Sequence, residues 1–201
     1  MIVKVCGMTQ AENIRAVEAL GPDMMGFIFY EKSPRKVVSV PSYLPEKASR
    51  VGVFVNHDEE FIMDKVSSYG LTHVQLHGQE SPQTCKALRE KGLKVMKALS
   101  IAGAEDIALS QKYIDCCDLF VFDTKTNSVG GSGRSFDWTL LNLYDGPVPF
   151  LLSGGIGKDT ELSQVSHPFL AGFDLNSKFE TQPGVKDPGM LKETIDKIRK
   201  I

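Results

Sequence analysis

The chain has 201 residues, of which 42% are hydrophobic and 24% charged, and its formal net charge is −2. This length suits one domain with a substantial core, so we treat residues 1–201 as a single domain. The balanced charge and the lack of a basic run argue against a nucleic-acid partner. No apolar run reaches the ~20 residues that cross a bilayer, which argues against a membrane protein. No signal peptide precedes the first strand pattern, so we expect a cytoplasmic protein.

Short apolar runs rich in Val, Ile and Phe recur along the whole chain, and they have the character of strands buried on both faces. In chain order they are residues 2–5, 24–29, 50–55, 73–77, 94–99, 119–123, 149–153 and 172–176.

The segments between these runs mostly favour helices. Thr9 and Asp58 are the expected N-caps of the first two helices, and Pro82 follows a serine cap in the third. The proline-rich segment 33–48 predicts a weak helix at best. The remaining helical patterns cover residues 102–114, 136–144, 158–166 and 187–200.

Strands that alternate with helical connections in this number predict an α/β protein, a single-domain (β/α)8 TIM barrel with minimal loops. An open doubly wound sheet is the alternative. In a barrel, the carboxyl ends of the strands converge on one mouth, where the chemistry of this fold lies. Residues spread over much of the chain fall at or near such strand ends, and they are Cys6, Arg35, His77, Asp123, Ser153 and Asp174.

Cys6 ends the first strand and precedes a glycine, a position that suits a base or nucleophile as well as a small buried side chain. Strand alternation puts Lys4 on the same face, towards the barrel interior. A buried lysine needs an anionic partner, and Asp174 is the candidate. We expect this lysine to favour the thiolate form of Cys6.

Three further side chains are candidates for the site. Asp123 closes the sixth strand, where a carboxyl group beside Phe and Val can hold a proton for general-acid work, although a turn or cap is the plainer explanation. His77 is either a second base or a core histidine. Arg35 can hold a carboxylate in a bidentate manner, or it can be an ordinary surface arginine.

Glycine- and serine-rich loops follow the last three strands, and in this fold the loops after strands seven and eight are the usual phosphate site. Backbone N–H groups there, helped by the N-terminus of the helix after strand seven, can bind the anion closely. The candidate phosphate-binding residues are Gly131, Ser132, Gly133, Ser153, Gly154, Gly155, Asn176 and Ser177.

The other cysteines, Cys85, Cys116 and Cys117, form no C-x-x-C pair and have no zinc-ligand spacing. The adjacent Cys116 and Cys117 would point different ways in any regular structure. We therefore expect reduced, structural thiols and neither a metal nor a cofactor.

Six stretches, taken together, closely resemble the phosphoribosylanthranilate isomerase family of tryptophan biosynthesis, in order and over essentially the whole chain. They are KVCGMT, SPRKV, VQLHG, FDTKTNSVGGSGRSFDW, LLSGGI and DLNSKFE.

The resemblance implies an Amadori rearrangement of an aminoaldose to an aminoketose, without a cofactor. Cys6 would be its general base, Asp123 its general acid and Arg35 the anchor of the anthranilate carboxylate. The partner would be a small phosphosugar substrate. One departure is Lys178, which stands where the family usually has glycine.

Alternatives remain at this point. Other phosphosugar barrels, such as the ProFAR isomerase of histidine biosynthesis or indoleglycerol-phosphate synthase, are rivals, as is a non-catalytic phosphate-ligand sensor. The sequence leaves a monomer and a weak homodimer open.

Overall fold

The structure, a computed structural model, describes residues 1–124 and 138–201. Within these residues, eight parallel strands form a closed barrel in chain order, and β1 pairs with both β2 and β8 to close it. This confirms the predicted (β/α)8 fold. The strands are β1 Ile2–Cys6, β2 Met24–Ile28, β3 Ser49–Phe54, β4 His73–Leu76, β5 Lys94–Ile101, β6 Leu119–Thr124, β7 Phe150–Ser153 and β8 Leu170–Leu175.

The described part of the chain holds five α-helices: α1 Ala11–Glu18, α2 Glu59–Tyr69, α3 Pro82–Glu90, α4 Ala104–Ala108 and α5 Pro188–Ile198. Asp58 caps α2 as predicted, because its side chain accepts a hydrogen bond of 2.8 Å from the backbone N–H of Phe61. Thr9 does not cap α1, so that prediction is wrong. Gln10 occupies the cap position, while the Thr9 hydroxyl donates to the carbonyl of Gly184.

Several connections are less helical than the sequence indicated. Residues 33–48 contain no helix, since the prolines there interrupt the backbone hydrogen bonds that a helix needs. The segments after β6 and β7 contain short 3₁₀ helices, Trp138–Leu143 and Leu162–Gln164, in place of α-helices. After β8, a 3₁₀ turn, Ser177–Phe179, leads into a small hairpin, β9 Glu180–Gln182 and β10 Val185–Lys186.

Side chains fill the barrel below its mouth. They form a compact apolar cluster that shares the inward face of the strands: Met24, Val51, Met96, Ala98, Leu119, Val121 and Leu151. A larger apolar layer lies between the strands and the surrounding helices, with Val3, Val5 and Phe27 among its members. The barrel is therefore a packed scaffold that is open to ligands only at an end.

Candidate active site

A pocket of about 220 Å³ lies at the carboxyl ends of the strands. It brings together residues from both ends of the chain and its middle, as the predicted convergence requires. Its walls combine a thiol, carboxyl groups and an imidazole with a few apolar side chains. The lining residues are Cys6, Ile28, Arg35, Val53, Gln75, His77, Asp123, Ser153, Gly154, Gly155, Ile156, Asp174, Asn176 and Ser177.

Lys4 and Asp174 form a buried ion pair under this pocket. They are register partners on β1 and β8, and Lys4 Nζ lies 2.8 Å from Asp174 Oδ2. Burial disfavours the lysine's charge, but the attraction of Asp174 and then of Cys6 outweighs it, so the pKa of Lys4 is raised. The predicted pairing of Lys4 with Asp174 is confirmed.

Cys6 is fully enclosed, with 3% of its surface exposed. Burial raises the pKa of its thiol, and the positive charges of Lys4 and Lys186 work against this shift without cancelling it. Lys4 therefore favours the thiolate form of Cys6, as expected, but burial outweighs this effect. The two lysines reduce the free energy needed to form the thiolate, and desolvation still dominates.

Two glycines next to Cys6, Gly7 and Gly26, leave room for its thiol. Gly26 lies beside Cys6 on β2, and a methyl group added there would come within 2.7 Å of the sulfur. Gly7 has a φ of +80°, which an L side chain rarely adopts, and a methyl group on it would meet Arg35 and Asn176 at 2.9 Å. The Cys-Gly pair at the end of β1 is thus a tight turn that directs the thiol into the pocket.

Asp123 and His77 contact each other across the pocket. His77 Nε2 lies 3.4 Å from Asp123 Oδ2, and His77 Nδ1 lies 3.0 Å from the Gln75 amide nitrogen. Because that amide nitrogen can only donate, Nδ1 accepts and Nε2 carries the proton that faces Asp123. The Asp123 side chain is partly buried, with 32% of its surface exposed.

Arg35 is held by a carboxylate of the chain itself. Its Nε and Nη2 donate to Glu180 at 2.7 to 2.9 Å, and Lys186 Nζ donates to Glu180 at 2.7 Å and to Asn176 at 2.7 Å. Burial opposes the ionisation of Glu180, but the hydrogen bonds from Arg35 and Lys186 prevail and lower its pKa. Arg35 is therefore a positioned cation, and its Nη1 is the nitrogen not engaged with Glu180.

The predicted phosphate loops are partly described. Gly154 and Gly155, after β7, have φ values of +89° and +68°, and they line the pocket together with Ser153, Asn176 and Ser177. Gly131, Ser132 and Gly133 lie outside the described residues. The segment after β7 begins with a turn and a 3₁₀ helix, so the expected α-helix N-terminus at this place is wrong.

Within the described residues, two buried acceptor atoms in the pocket wall have no hydrogen-bond partner: Asp174 Oδ1 and Gln75 Oε1. A buried acceptor without a partner is destabilising, by about 1–3 kcal/mol.

Sequence reasoning missed three residues of this site: Gln75, Glu180 and Lys186. Gln75 is the third of the four residues of β4, and Lys186 lies in the two-residue strand β10. A polar residue at such a place has no distinctive signal. Glu180 lies in the DLNSKFE stretch, but only the fold pairs it with Arg35, whose side chain is 20% exposed.

A closed parallel barrel whose mouth holds a thiol, a carboxyl group and an imidazole defines the class of (β/α)8-barrel enzymes. Within the described residues, no helix is long and apolar enough to span a membrane.

Comparison with known proteins narrows this class. Residues 3–197 match the family described as N-(5'-phosphoribosyl)anthranilate (PRA) isomerase, and the chain belongs to that family. The isomerase of this name from Phocaeicola vulgatus is 48% identical, over 99% of this chain and 98% of its own length.

Solved structures agree with this result. The crystal structure of phosphoribosyl anthranilate isomerase from Thermotoga maritima superposes with a TM-score of 0.84 at 34% identity, and covers both chains completely. A crystal structure of phosphoribosyl anthranilate isomerase in complex with reduced 1-(o-carboxyphenylamino)-1-deoxyribulose 5-phosphate superposes with a TM-score of 0.82 at 31% identity, again with full coverage of both chains.

Proposed function

We propose that this chain converts N-(5'-phosphoribosyl)anthranilate to 1-(2-carboxyphenylamino)-1-deoxyribulose 5-phosphate, in tryptophan biosynthesis. The observation that carries the proposal is that Cys6 of β1 and Asp123 of β6, on strands that are not neighbours, line the same pocket. An aminoaldose-to-ketose rearrangement needs one acid and one base that act on different atoms of a single sugar.

The acid step is assigned to Asp123. As general acid, its carboxyl group gives a proton to the furanose ring oxygen, the C1'–O bond breaks, and the nitrogen lone pair forms a Schiff base. The N–H of His77, which lies 3.4 Å from Asp123 Oδ2, then stabilises the carboxylate that remains. His77 therefore assists the general acid Asp123 and is not a second base.

The base step is assigned to Cys6. Its thiolate removes the C2' proton, and the resulting enolamine tautomerises to the ketone. Burial raises the pKa of Cys6, so its thiolate is a strong base once it forms. The nearby charges of Lys4 and Lys186 oppose this rise and reduce the free energy needed to form the thiolate. Acid and base contribute about 10²–10⁴-fold each, and positioning of the substrate supplies much of the rest.

Substrate positioning is assigned to the two ends of the pocket. The loops after β7 and β8, with Ser153, Gly154, Gly155, Asn176 and Ser177, are proposed to bind the phosphate through backbone N–H and hydroxyl groups. Gly131, Ser132 and Gly133 are proposed to add to this site. Asp174 and Gln75, which line the pocket, are proposed to accept hydrogen bonds from ribose hydroxyl groups.

The anthranilate carboxylate is assigned to Arg35. Since two of its nitrogens already donate to Glu180, the substrate meets Nη1, or it competes with Glu180 for the guanidinium. Arg35 is thus oriented before the substrate arrives, which reduces the entropy lost on binding.

A small phosphosugar is the proposed partner.

The proposed compartment is the cytoplasm. None of the four cysteines, all of which lie in the described part, forms a disulfide, and free thiols suit a reducing compartment.

The test is the loss of substrate fluorescence after purified protein is added to N-(5'-phosphoribosyl)anthranilate. We expect wild-type turnover, and near abolition in Cys6→Ser and in Asp123→Asn while both variants stay folded. Asp64→Asn is the matched control, because Asp64 lies on the outer surface of α2 with 65% of its side chain exposed. A near wild-type kcat in either site variant would remove that residue from its role.

The rivals are tested with the same protein. Turnover of the ProFAR or indoleglycerol-phosphate synthase substrate without turnover of N-(5'-phosphoribosyl)anthranilate would favour another phosphosugar barrel. Binding of a phosphosugar without any turnover would favour a ligand sensor.

A further inference from the structure

Three thiols lie together outside the active-site pocket. Cys85 belongs to α3, and Cys116 and Cys117 belong to the turn that leads into β6. Their sulfur atoms all lie within 4.8 Å of one another, although more than 30 positions of sequence separate Cys85 from the other two. Cys116 and Cys117 lie in a turn and not in a regular element, which lets both thiols approach Cys85 of α3.

This thiol cluster is enclosed by protein. The exposed fractions of Cys85, Cys116 and Cys117 are 0%, 5% and 4%, and all three belong to the apolar layer between the strands and the helices. None of them lines the active-site pocket. The plain explanation is three small side chains that fill the core, each with a weak S–H donor.

Two features distinguish the cluster from core filler. The sulfur atoms are close enough for a single ion to contact all three, because metal–sulfur bonds of about 2.3 Å place three ligands roughly 4 Å apart in a trigonal arrangement. The observed limit of 4.8 Å is thus less than 1 Å from that geometry. The cluster also has free thiols, with no disulfide to occupy them.

A buried cation lies next to the cluster. Lys97 Nζ is 5.6 Å above the ring of Tyr113, the residue whose carbonyl accepts from Cys116 Sγ at 3.3 Å. Lys97 is itself paired with a buried carboxylate, since its Nζ lies 3.1 Å from Glu80 Oε2. Because Glu80 already compensates this charge, the positions of the three sulfur atoms, and not Lys97, distinguish the cluster.

We propose that Cys85, Cys116 and Cys117 form a binding site for one soft, thiophilic cation of low coordination number, with Cu⁺ as the representative ion. As the three Cu–S bonds form, the S–H protons leave to solvent, and no electron is transferred. Thiolates are the ligands that Cu⁺ prefers.

The number of ligands argues for Cu⁺ over Zn²⁺. Structural zinc sites are almost always four-coordinate. Among residues 1–124 and 138–201, no histidine or carboxylate joins the three thiols in the ligand group. Zn²⁺ would therefore lack its fourth ligand, while Cu⁺ is satisfied by three sulfur atoms. A bound ion would link α3 to the turn before β6, the strand that carries Asp123.

The test is a titration of the reduced full-length protein with Cu⁺ under anaerobic conditions, in competition with a chromogenic Cu⁺ chelator. Each point needs equilibration, because α3 must move to admit an ion to thiols this buried. We expect one Cu⁺ per chain in the wild type. In Cys85→Ser and in Cys117→Ser the affinity should fall by at least tenfold, whereas Cys6→Ser, which removes a thiol outside the cluster, should bind as the wild type does.

X-ray absorption of the loaded wild type gives a readout that needs no variant to fold. Three sulfur scatterers around copper are expected. Failure of the wild type to bind one Cu⁺ per chain, a coordination shell dominated by nitrogen or oxygen, or equal affinity in folded Cys85→Ser and Cys117→Ser would overturn the proposal and leave the cysteines as core side chains.

Discussion

Replacement of Lys4 by methionine is the most informative change to this site. The substitution keeps the length of the side chain and removes the buried ammonium group that lies 2.8 Å from Asp174 Oδ2. The exposed fractions of the two side chains are 0% and 5%, so solvent cannot take over the role of the missing partner.

The expected loss of stability follows from the charge left behind. Breaking a buried ion pair by removing one partner destabilises a protein by about 3–5 kcal/mol, since the other charge stays buried without compensation. In a chain of this length, a loss of that size lowers Tm by roughly 6–20 °C. The measurement is thermal and urea unfolding of Lys4→Met and of the wild type at neutral pH.

The double variant Lys4→Met/Asp174→Asn separates charge from packing. It removes both charges of this pair, so we expect it to recover part of the stability that Lys4→Met loses. If Lys4→Met is as stable as the wild type, or if the double variant is less stable than Lys4→Met, the ion pair does not have the structural importance inferred for it.

Lys4→Met also tests the electrostatics of Cys6. Lys4 opposes the effect of burial on the thiol, so its removal should raise the pKa of Cys6 further. The ascending limb of the kcat–pH profile should therefore move to higher pH in Lys4→Met. An unchanged profile would show that Lys4 does not influence the base.

Three further substitutions test the neighbouring contacts. Gly26→Ala would put a methyl group 2.7 Å from the Cys6 sulfur, so we expect kcat to fall by roughly 10²-fold in steady-state assays while the fold persists; a normal kcat would mean that the thiol position is not critical. Glu180→Gln removes the partner of Arg35. Because the pKa of Glu180 is lowered in the folded protein, its ionisation contributes stability above the ordinary value of 4.5, and this contribution is lost as the pH falls. Urea unfolding should therefore show a gap between wild type and Glu180→Gln that narrows below that pH, and a constant gap would contradict the assignment. Lys178→Ala removes an exposed cation next to Gly157, and KM should rise by no more than about fivefold; a larger rise would make Lys178 a principal phosphate ligand.

Much of the barrel was predictable because its strands are buried on both faces. Runs such as residues 119–123 must be almost wholly apolar to lie between the barrel interior and the helices, so each strand leaves a clear signal. The helices were less predictable. The segments between consecutive strands are short. Once the strands pair, a 3₁₀ helix such as Trp138–Leu143 can span the distance from one strand to the next as well as an α-helix does.

The candidate site was predictable in its membership and less so in its electrostatics. Cys6, Asp123 and Asp174 lie at strand ends, and a closed parallel barrel brings all strand ends to one mouth. The pKa of Cys6 depends on the balance between desolvation and two lysine charges, and that balance is set by distances that the sequence does not contain.

The amino-acid sequence by itself determined the alternation of strands and helices, the position of each polar group at a strand end, and the need of Lys4 for an anionic partner. These follow from periodicity and burial, which are local properties of the chain. Tertiary structure alone decided that Glu180 holds Arg35 and that Cys85 meets Cys116 and Cys117. Contacts of this kind join residues that are far apart in sequence, and only the closed packing of strands and helices fixes the distances between them.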